Sequence, residues 1–245
     1  MMHPNKAHAA YAAIKQAIIE QALTPGTKLP EDTLGGHFGM SRTLVRAALA
    51  RLAAEGLVDS RHNRGATVAQ PSLDEAHSVF ELRRCLEAEV VRLVIERWQP
   101  ASAHALEVHL RLEEQAARQG QPAASARLAG EFHGVLAELA GNPLLARYVS
   151  EVISRCSLIL AVHGRPHSSE CGVSEHRQLL EALRAGDLRG ARRLMAAHLA
   201  SLARTLGKEA AHDDTDLASV LNRYLPAPAA PPPARRARKP RRKPA

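Results

Sequence analysis

Three histidines, His133, His176 and His198, occupy apolar positions of three different predicted helices. Each shares the inward face of its helix with leucines three or four residues away. A buried imidazole without hydrogen-bond partners costs roughly 1–3 kcal/mol, so each ring needs a core hydrogen bond or a ligand. A core hydrogen bond is enough to account for a single buried histidine. Three buried histidines that converge on one point instead suit a divalent cation such as zinc. The spacing predicts a metal site, with a hydrogen-bonded core as the alternative.

A second group of polar residues lies in the segment MSRTLVRAALARL. On a helix that begins at Ser41, the apolar residues form one stripe and leave Arg42, Thr43, Arg46 and Arg51 on the outer side and at the ends. An arginine can donate two hydrogen bonds to N7 and O6 of guanine, while hydroxyl groups and free backbone amides bind phosphates. Taken alone, these residues are also typical of a solvated surface, so the prediction of DNA contact depends on the neighbouring elements.

Those neighbouring elements follow the order of a winged helix-turn-helix. Apolar spacing predicts helices over 6–23, 31–38 and 41–56, with a glycine turn between the last two. Two short strands then flank RHNRG, where Arg64 and Gly65 lie in the wing and the glycine permits a tight turn. This order predicts an N-terminal DNA-binding domain.

The rest of the chain favours long helices. Aromatic residues make up only 3% of the sequence, and the 45% hydrophobic share is mostly Ala and Leu, which favours helix over sheet. Apolar spacing between Pro-, Gly- and Asn-containing breaks predicts helices over 76–97, 102–119, 123–140, 144–162, 174–185 and 188–206, and a short one over 216–224. The expected fold class is mainly α: a winged helix-turn-helix over residues 1–70, followed by an all-α antiparallel helical bundle over residues 71–225.

Charge is distributed unevenly over these segments. The net charge is +8, and residues 226–245 contain seven Lys and Arg and no acidic residue. Residues 1–70 contain 8 basic and 5 acidic residues, and residues 71–225 contain 18 basic and 20 acidic residues. The two ends of the chain are therefore the parts suited to phosphate. The last segment lacks core-forming residues, so we expect a disordered tail that either adds DNA affinity or keeps the protein soluble.

The composition also argues against a membrane or secreted protein. No apolar run approaches the roughly 18 residues of a membrane span, and the N-terminus lacks the apolar core of a signal peptide. The three cysteines form no CxxC pair, which predicts reduced thiols rather than a disulfide framework. We expect a soluble, cytoplasmic protein with no membrane partner.

The run PGTKLPEDTLGGHFGMSRTLVRAALARLAAEGLVDSRHNRGATVA resembles the winged-helix domain of the GntR family of bacterial transcription regulators. The runs ELRRCLEAEVVRL, FHGVLAELAGNPLL and EHRQLLEALRAGDLRGARRLMAAHL resemble the helical FCD effector domain of its FadR-like subgroup. The resemblance implies that Arg42, Thr43 and Arg46 contact DNA and that Gly65 forms the wing tip. Thr33 stands where many relatives carry a DNA-contacting Arg. The expected protein is a homodimeric repressor on a palindromic double-stranded DNA operator.

The resemblance also implies a metal and an effector. Metal-binding FCD domains use three His and one Asp around a divalent ion, but the Asp position corresponds to Ala129 here. Glu131 is a poor substitute because it lies about 200° around the helix from His133. The expected cofactor is a divalent metal, zinc or nickel, held by the three histidines. Family effectors are often carboxylates, for which Arg83 is the expected clamp, and a solvent-facing pair with Glu87 is the alternative.

Two other functions stay open for the helical segment. A three-His metal site with an open position also occurs in hydrolytic enzymes. The sequence offers no convincing general base beside these histidines, however, and a winged helix has no evident role in a hydrolase. Alternatively, the bundle is a passive dimerisation module. We expect a non-enzyme in which a small-molecule effector, a carboxylate, controls DNA affinity.

Overall fold

Three helices and a two-stranded hairpin form the N-terminal unit. The computed structural model describes residues 4–61, 65–164, 169–207 and 217–224. The elements of this unit are α1 (Pro4–Ile19), α2 (Glu31–Phe38), α3 (Arg42–Ala54), β1 (Val58–Arg61) and β2 (Gly65–Val68). The two strands pair antiparallel, with Arg61 opposite Gly65. The predicted winged helix-turn-helix is confirmed.

The turn between α2 and α3 depends on a left-handed glycine. Gly39 has a φ of 58°, which glycine adopts with little strain, and its N–H donates to the carbonyl of Gly35. Ser41 then takes the extended backbone conformation that precedes α3. Lys6 of α1 donates to the Gly39 carbonyl over 3.1 Å. The turn is therefore held by α1 as well as by its own backbone.

Apolar side chains of α1, α3 and the hairpin form the first core. Ile14, Ile18, Leu52 and Val68 are all no more than 1% exposed. Burying one such side chain contributes roughly 1.5–3 kcal/mol relative to leaving it in water. This core packs against the inner face of α3, the predicted recognition helix.

Six long helices build the second unit. They are α4 (Leu73–Glu96), α5 (Pro100–Arg118), α6 (Pro122–Leu139), α7 (Pro143–His163), α8 (Ser169–Arg184) and α9 (Leu188–Arg204). Ser72, Asn142 and Asp187 cap α4, α7 and α9, each accepting from the backbone N–H three residues later. Phe132 and Leu136 of α6 are fully buried in a core to which all six helices contribute. The predicted helical bundle is confirmed.

Two helices connect this bundle with the N-terminal unit. Leu158 and Val162 of α7 pack among the residues of the first core. A short helix, α10 (Leu217–Asn222), returns to the same core with Val220 and Leu221. Although α10 falls within the segment predicted as the helical domain, its buried residues thus pack against the DNA-binding unit.

None of the helices in the described parts of the chain is both long and apolar enough to cross a membrane. Arg64 in the wing and the predicted tail at 226–245 lie outside the described residues.

Candidate metal centre and nucleic-acid interface

The three predicted metal ligands come together inside the bundle. His133 of α6, His176 of α8 and His198 of α9 are 2%, 1% and 6% exposed. One ligand nitrogen from each lies within 4.8 Å of the others. The Nε2 atoms of His133 and His198 are 3.2 Å apart. Phe132 stacks on His176 with ring centroids 4.1 Å apart, so an apolar ring covers one side of the cluster.

A glutamate faces the other ring nitrogen, Nδ1, of each histidine. The three pairs are Glu87 with His133 at 2.5 Å, Glu113 with His176 at 3.0 Å, and Glu175 with His198 at 2.6 Å. In metal sites, a carboxylate on the second nitrogen of a ligand imidazole fixes the tautomer and the ring orientation. This arrangement leaves the Nε2 atoms for the centre of the cluster.

The charge of Glu87 determines the tautomer of His133. Burial would raise the pKa of the Glu87 carboxyl, but Arg83 and His133 outweigh this effect and hold the pKa well below its usual range. Ionised Glu87 can only accept, so His133 donates its Nδ1–H. Burial also lowers the pKa of His133 well below its usual value. A neutral imidazole protonated at Nδ1 carries the lone pair of a metal ligand on Nε2.

His176 provides the clearest structural reason to expect a cation at this cluster. Its Nε2 atom is buried and has no hydrogen-bond partner among the described residues. Burial lowers the pKa of His176 well below its usual value, and burial raises that of Glu113 to about 7 against the lowering effects of His109 and His198. An orphaned buried nitrogen costs about 1–3 kcal/mol unless something binds it. The three imidazoles and their carboxylate partners therefore fit a divalent cation such as zinc or nickel.

The fourth ligand of the family pattern has no substitute on α6. Ala129, one turn before His133, carries no donor atom. Glu131 is exposed and accepts a hydrogen bond from Arg127 over 2.7 Å, so it lies on the outer face of α6. Among the described residues, the metal-ligating side chains brought together are the three histidines.

Arg83, the predicted effector clamp, is buried beside this cluster. Its Nε donates to Glu87 over 2.5 Å, and its Nη1 donates to Cys156 Sγ over 3.2 Å. Burial would lower the pKa of Arg83, but Glu87 and Cys156 raise it above its ordinary value, so the guanidinium is charged. The pair with Glu87 that the sequence spacing suggested is present, but it is buried rather than solvent-facing. Contact between Arg83 and an effector stays a prediction.

The three glutamates were not predicted from the sequence. For Glu113 a signal exists, because it follows Leu106 and Leu110 at seven and three residues and so shares their buried face. For Glu87, the spacing to Arg83 indicates an ordinary surface pair, and only the packing of α4 against α6 reveals its burial.

The predicted DNA-contact residues at the start of α3 lie on the surface. Ser41, Arg42, Thr43 and Arg46 are all exposed, while Val45 on the opposite side is buried. This places two arginines and two hydroxyl groups at the helix end where backbone N–H groups also point outward. Such an end suits the major groove and the adjoining phosphates.

Both of these arginines pair with acidic residues of α2. Arg42 donates from Nε and Nη2 to Asp32 over 2.7 and 3.0 Å. Arg46 donates from Nε to Glu31 over 2.8 Å. Pairs this exposed are screened by salt and water, so DNA can replace the carboxylates.

Two further predicted contact residues lie elsewhere. Arg51, in the last turn of α3, places its guanidinium 3.7 Å from the ring centroid of Tyr11 and 3.8 Å from Glu55. It therefore packs against α1, away from the start of α3. Gly65 begins β2 with a φ of 79°, and apart from its chain neighbours no described residue has an atom within 4 Å of the place where its Cβ would be. A DNA contact by either residue stays a prediction.

A winged helix-turn-helix joined to a helical bundle with a buried histidine cluster defines a DNA-binding transcription regulator with an all-helical second domain. Residues 6–68 match the model of bacterial regulatory proteins, gntR family, and residues 78–201 match that of the FCD domain. The chain belongs to the GntR family and carries an FCD domain.

Similar proteins agree with this assignment. The uncharacterized HTH-type transcriptional regulator YdhC of Bacillus subtilis (strain 168) is 26% identical over 192 residues, covering 77% of this chain and 85% of that protein. The HTH-type transcriptional repressor RspR of Escherichia coli (strain K12) is 25% identical over 199 residues, covering 80% of this chain and 86% of that protein. The solved structure of E. coli McbR/YncC matches with a TM-score of 0.70 at 23% identity, covering 80% of this chain and 94% of that protein. This match shows that both units of the chain have the same fold as the units of McbR/YncC.

Proposed function

We propose that this chain is a repressor that binds a palindromic operator as a homodimer and responds to a small carboxylate bound beside a metal. In this proposal, residues 1–70 read DNA and residues 71–225 bind the effector. The observation that carries it is the convergence of three buried imidazoles, each with a carboxylate partner, in the unit attached to the winged helix. The relative RspR is a transcriptional repressor, which supports repression as the mode of action here.

The histidine cluster would hold zinc or nickel through His133, His176 and His198. With neutral imidazoles as its protein ligands, a divalent ion keeps its full charge and draws water and anions to its remaining positions. Arg83 is linked to His133 through Glu87, whose negative charge offsets that of the guanidinium. A small carboxylate would bind the divalent ion and would compete with Glu87 for Arg83.

Helix α7 offers a route from this site to the DNA-binding unit. Its Cys156 accepts a hydrogen bond from Arg83, and two residues later Leu158 packs in the core of the winged helix. A ligand that displaces Arg83 therefore acts on a helix shared by both units. It controls DNA binding only if it prefers one arrangement of the units over another.

Operator recognition would begin at the first turn of α3. There Arg42 and Arg46 reach base edges, Ser41 and Thr43 bind phosphates, and the wing around Gly65 contacts the adjoining backbone. One recognition helix reads only a few base pairs. A two-fold dimer on a palindromic site is the usual way to gain the missing specificity.

A selection experiment followed by titration tests the proposal. Purified full-length protein would select its preferred duplex from a random DNA library, and light scattering would give the oligomeric state. Affinity for the selected duplex would then be measured with zinc chloride alone and with zinc chloride plus succinate or malate. We expect a dimer, a palindromic site, and a change in affinity of roughly 5- to 150-fold with a carboxylate, the usual range of allosteric coupling.

The variant His198→Ala supplies the control for the effector response. It should keep the selected site but lose the response, because its change removes a metal ligand and leaves the recognition helix untouched. A wild-type affinity that neither zinc nor either carboxylate alters would favour the passive dimerisation module instead.

A further inference from the structure

Two acidic residues in the first turn of α2 bind the arginines that are predicted to read DNA. The Oδ1 and Oδ2 atoms of Asp32 accept from Nε and Nη2 of Arg42 over 2.7 and 3.0 Å. Both carboxylate oxygens of Glu31 accept from Nε of Arg46, over 2.9 and 2.8 Å. The helix dipole favours acidic residues at a helix N-terminus, but it does not account for partners 10 and 15 residues away on α3. These contacts therefore indicate a second role.

Each pair leaves the outer end of the guanidinium free. A guanidinium has five N–H donors in one plane, and two of them, one on Nη1 and one on Nη2, point side by side from its end. Asp32 occupies the edge formed by Nε and the other N–H of Nη2, and Glu31 occupies Nε. The side chains of Arg42 and Arg46 are still 68% exposed, so the donors at their ends are open to solvent.

This free end matches one base. Guanine presents two acceptors, N7 and O6, on its major-groove edge, and an arginine binds both through two parallel N–H groups. The unused end of each guanidinium provides that pair of donors while the carboxylate keeps the other edge. Guanine can therefore bind Arg42 or Arg46 without displacing Asp32 or Glu31.

The carboxylates are attached to a fixed support. Leu34 of α2 and Val45 of α3 are 0% and 1% exposed and lie in the same core, which holds the two helices together. An arginine side chain has many rotamers, and a carboxylate on a fixed helix restricts them before DNA binds. The pairs thus position the guanidinium groups in advance.

The same carboxylates disfavour contact with phosphate. A carboxylate beside a guanidinium offsets its charge and repels a phosphate group, whereas a base has no net charge. The pair therefore weakens a phosphate contact more than it weakens a guanine contact.

From these contacts we propose that Asp32 and Glu31 determine specificity, because they position Arg42 and Arg46 for guanine and disfavour phosphate. The proposal rests on the operator recognition by α3 that is proposed above. It does not depend on the metal, the effector or the dimer.

Discrimination at a single guanine tests the proposal. In the duplex selected by the wild type, each guanine would be replaced in turn by 7-deazaguanine, which lacks the N7 acceptor. Anisotropy titrations would compare the wild type, Asp32→Asn, Arg42→Ala and the double variant, and a second set would use Glu31→Gln and Arg46→Ala. Asp59→Asn is the matched control, because Asp59 is an exposed acidic residue of β1 in the same unit. Circular dichroism would check that all variants fold.

The wild type should lose affinity when the guanine that Arg42 contacts is replaced. Asp32→Asn should reduce that loss about 2- to 5-fold, within the range that an exposed ion pair contributes. Its affinity for mixed-sequence DNA should rise, and the slope of log K against log salt should steepen by about one, since the freed arginine can contact one more phosphate. Asp59→Asn should keep the wild-type loss at that guanine. In the Arg42→Ala background, Asp32→Asn should not change the discrimination further.

Three results would overturn the proposal for Asp32, and they differ in what else they affect. An equal loss at that guanine in Asp32→Asn and in the wild type would leave operator recognition by Arg42 intact. The same reduction in Asp59→Asn would show that general charge, rather than the pair, sets the discrimination. If Arg42→Ala keeps the wild-type preference at every guanine, the proposed recognition through Arg42 fails, and the role of Asp32 fails with it.

Discussion

The Nε2 atoms of His133 and His198 lie 3.2 Å apart, while the Nδ1 atom of each ring faces a carboxylate. If both rings donate through Nδ1, two lone pairs point at each other inside the protein. Either a shared proton or a bound cation would relieve that repulsion. Because burial lowers the pKa of His133, a shared proton is disfavoured and a cation is favoured. A tetrahedral ion bound at about 2.05 Å would separate two ligand nitrogens by about 3.3 Å. The observed separation is close to that value.

Glu87 should be essential to stability. The change Glu87→Gln leaves Arg83 as a buried charge without its ion-pair partner, because the two side chains are 2% and 4% exposed. Removing one partner of such a pair costs about 3–5 kcal/mol. Urea unfolding followed by circular dichroism measures the loss of stability.

Glu89→Gln is the matched control. Glu89 lies on the same helix in an exposed pair with Arg92, so this variant should keep an unfolding midpoint near that of the wild type. Equal midpoints for the two variants would contradict the buried pair.

Glu175 should tune metal affinity without being a ligand. The change Glu175→Gln weakens the acceptor that faces Nδ1 of His198, so zinc affinity should fall about 10- to 100-fold. Competition with a fluorescent zinc chelator gives the affinity. Glu181→Gln, on the exposed side of the same helix, should bind zinc like the wild type. If the two variants cannot be distinguished, Glu175 does not orient His198.

Arg42 should contribute to sequence choice. If it makes a bidentate contact with guanine, Arg42→Ala should weaken binding to the selected duplex by about ten-fold or more, with a smaller effect on mixed-sequence DNA. Anisotropy titrations on both duplexes measure the difference. Arg111→Ala, an exposed change on α5, serves as the charge-matched control. An equal loss on both duplexes would make Arg42 a phosphate contact.

Gly39 and Gly36 provide a matched test of the helix-turn-helix turn. An alanine at Gly39 would have to adopt a φ of 58°, which costs about 1–2 kcal/mol. Gly36 lies within α2, and apart from the neighbouring backbone of that helix no described residue has an atom within 4 Å of the place where a Cβ would be, so Gly36→Ala should stabilise the protein by about 0.5–1 kcal/mol. Thermal unfolding of both variants measures the two effects. Shifts of the same sign would show that the turn conformation is not as described.

The sequence predicted the helices well because their signals are local. Ser72 caps α4 as its hydroxyl allows, and the histidines lie on inward faces as their spacing from leucines indicates. Which helices meet is not a local property. The burial of Glu87 and its contact with His133, 46 residues away, therefore could not be derived from spacing. The return of α10 to α1 is also a long-range contact, since Tyr224 and Glu20 are separated by 204 residues.

Metal content is the measurement that tests the account most directly. The protein would be incubated with zinc chloride or nickel chloride, freed of unbound metal and analysed for its metal content. The variants His176→Ala and His198→Ala would be treated in the same way. His104→Ala, which changes an exposed histidine, is the control. The account predicts about one equivalent per chain in the wild type and in His104→Ala, and a large loss in the other two variants. A wild type without stoichiometric metal, or His176→Ala and His198→Ala proteins that keep the wild-type content, would contradict it and leave His133 as a hydrogen-bonded core residue.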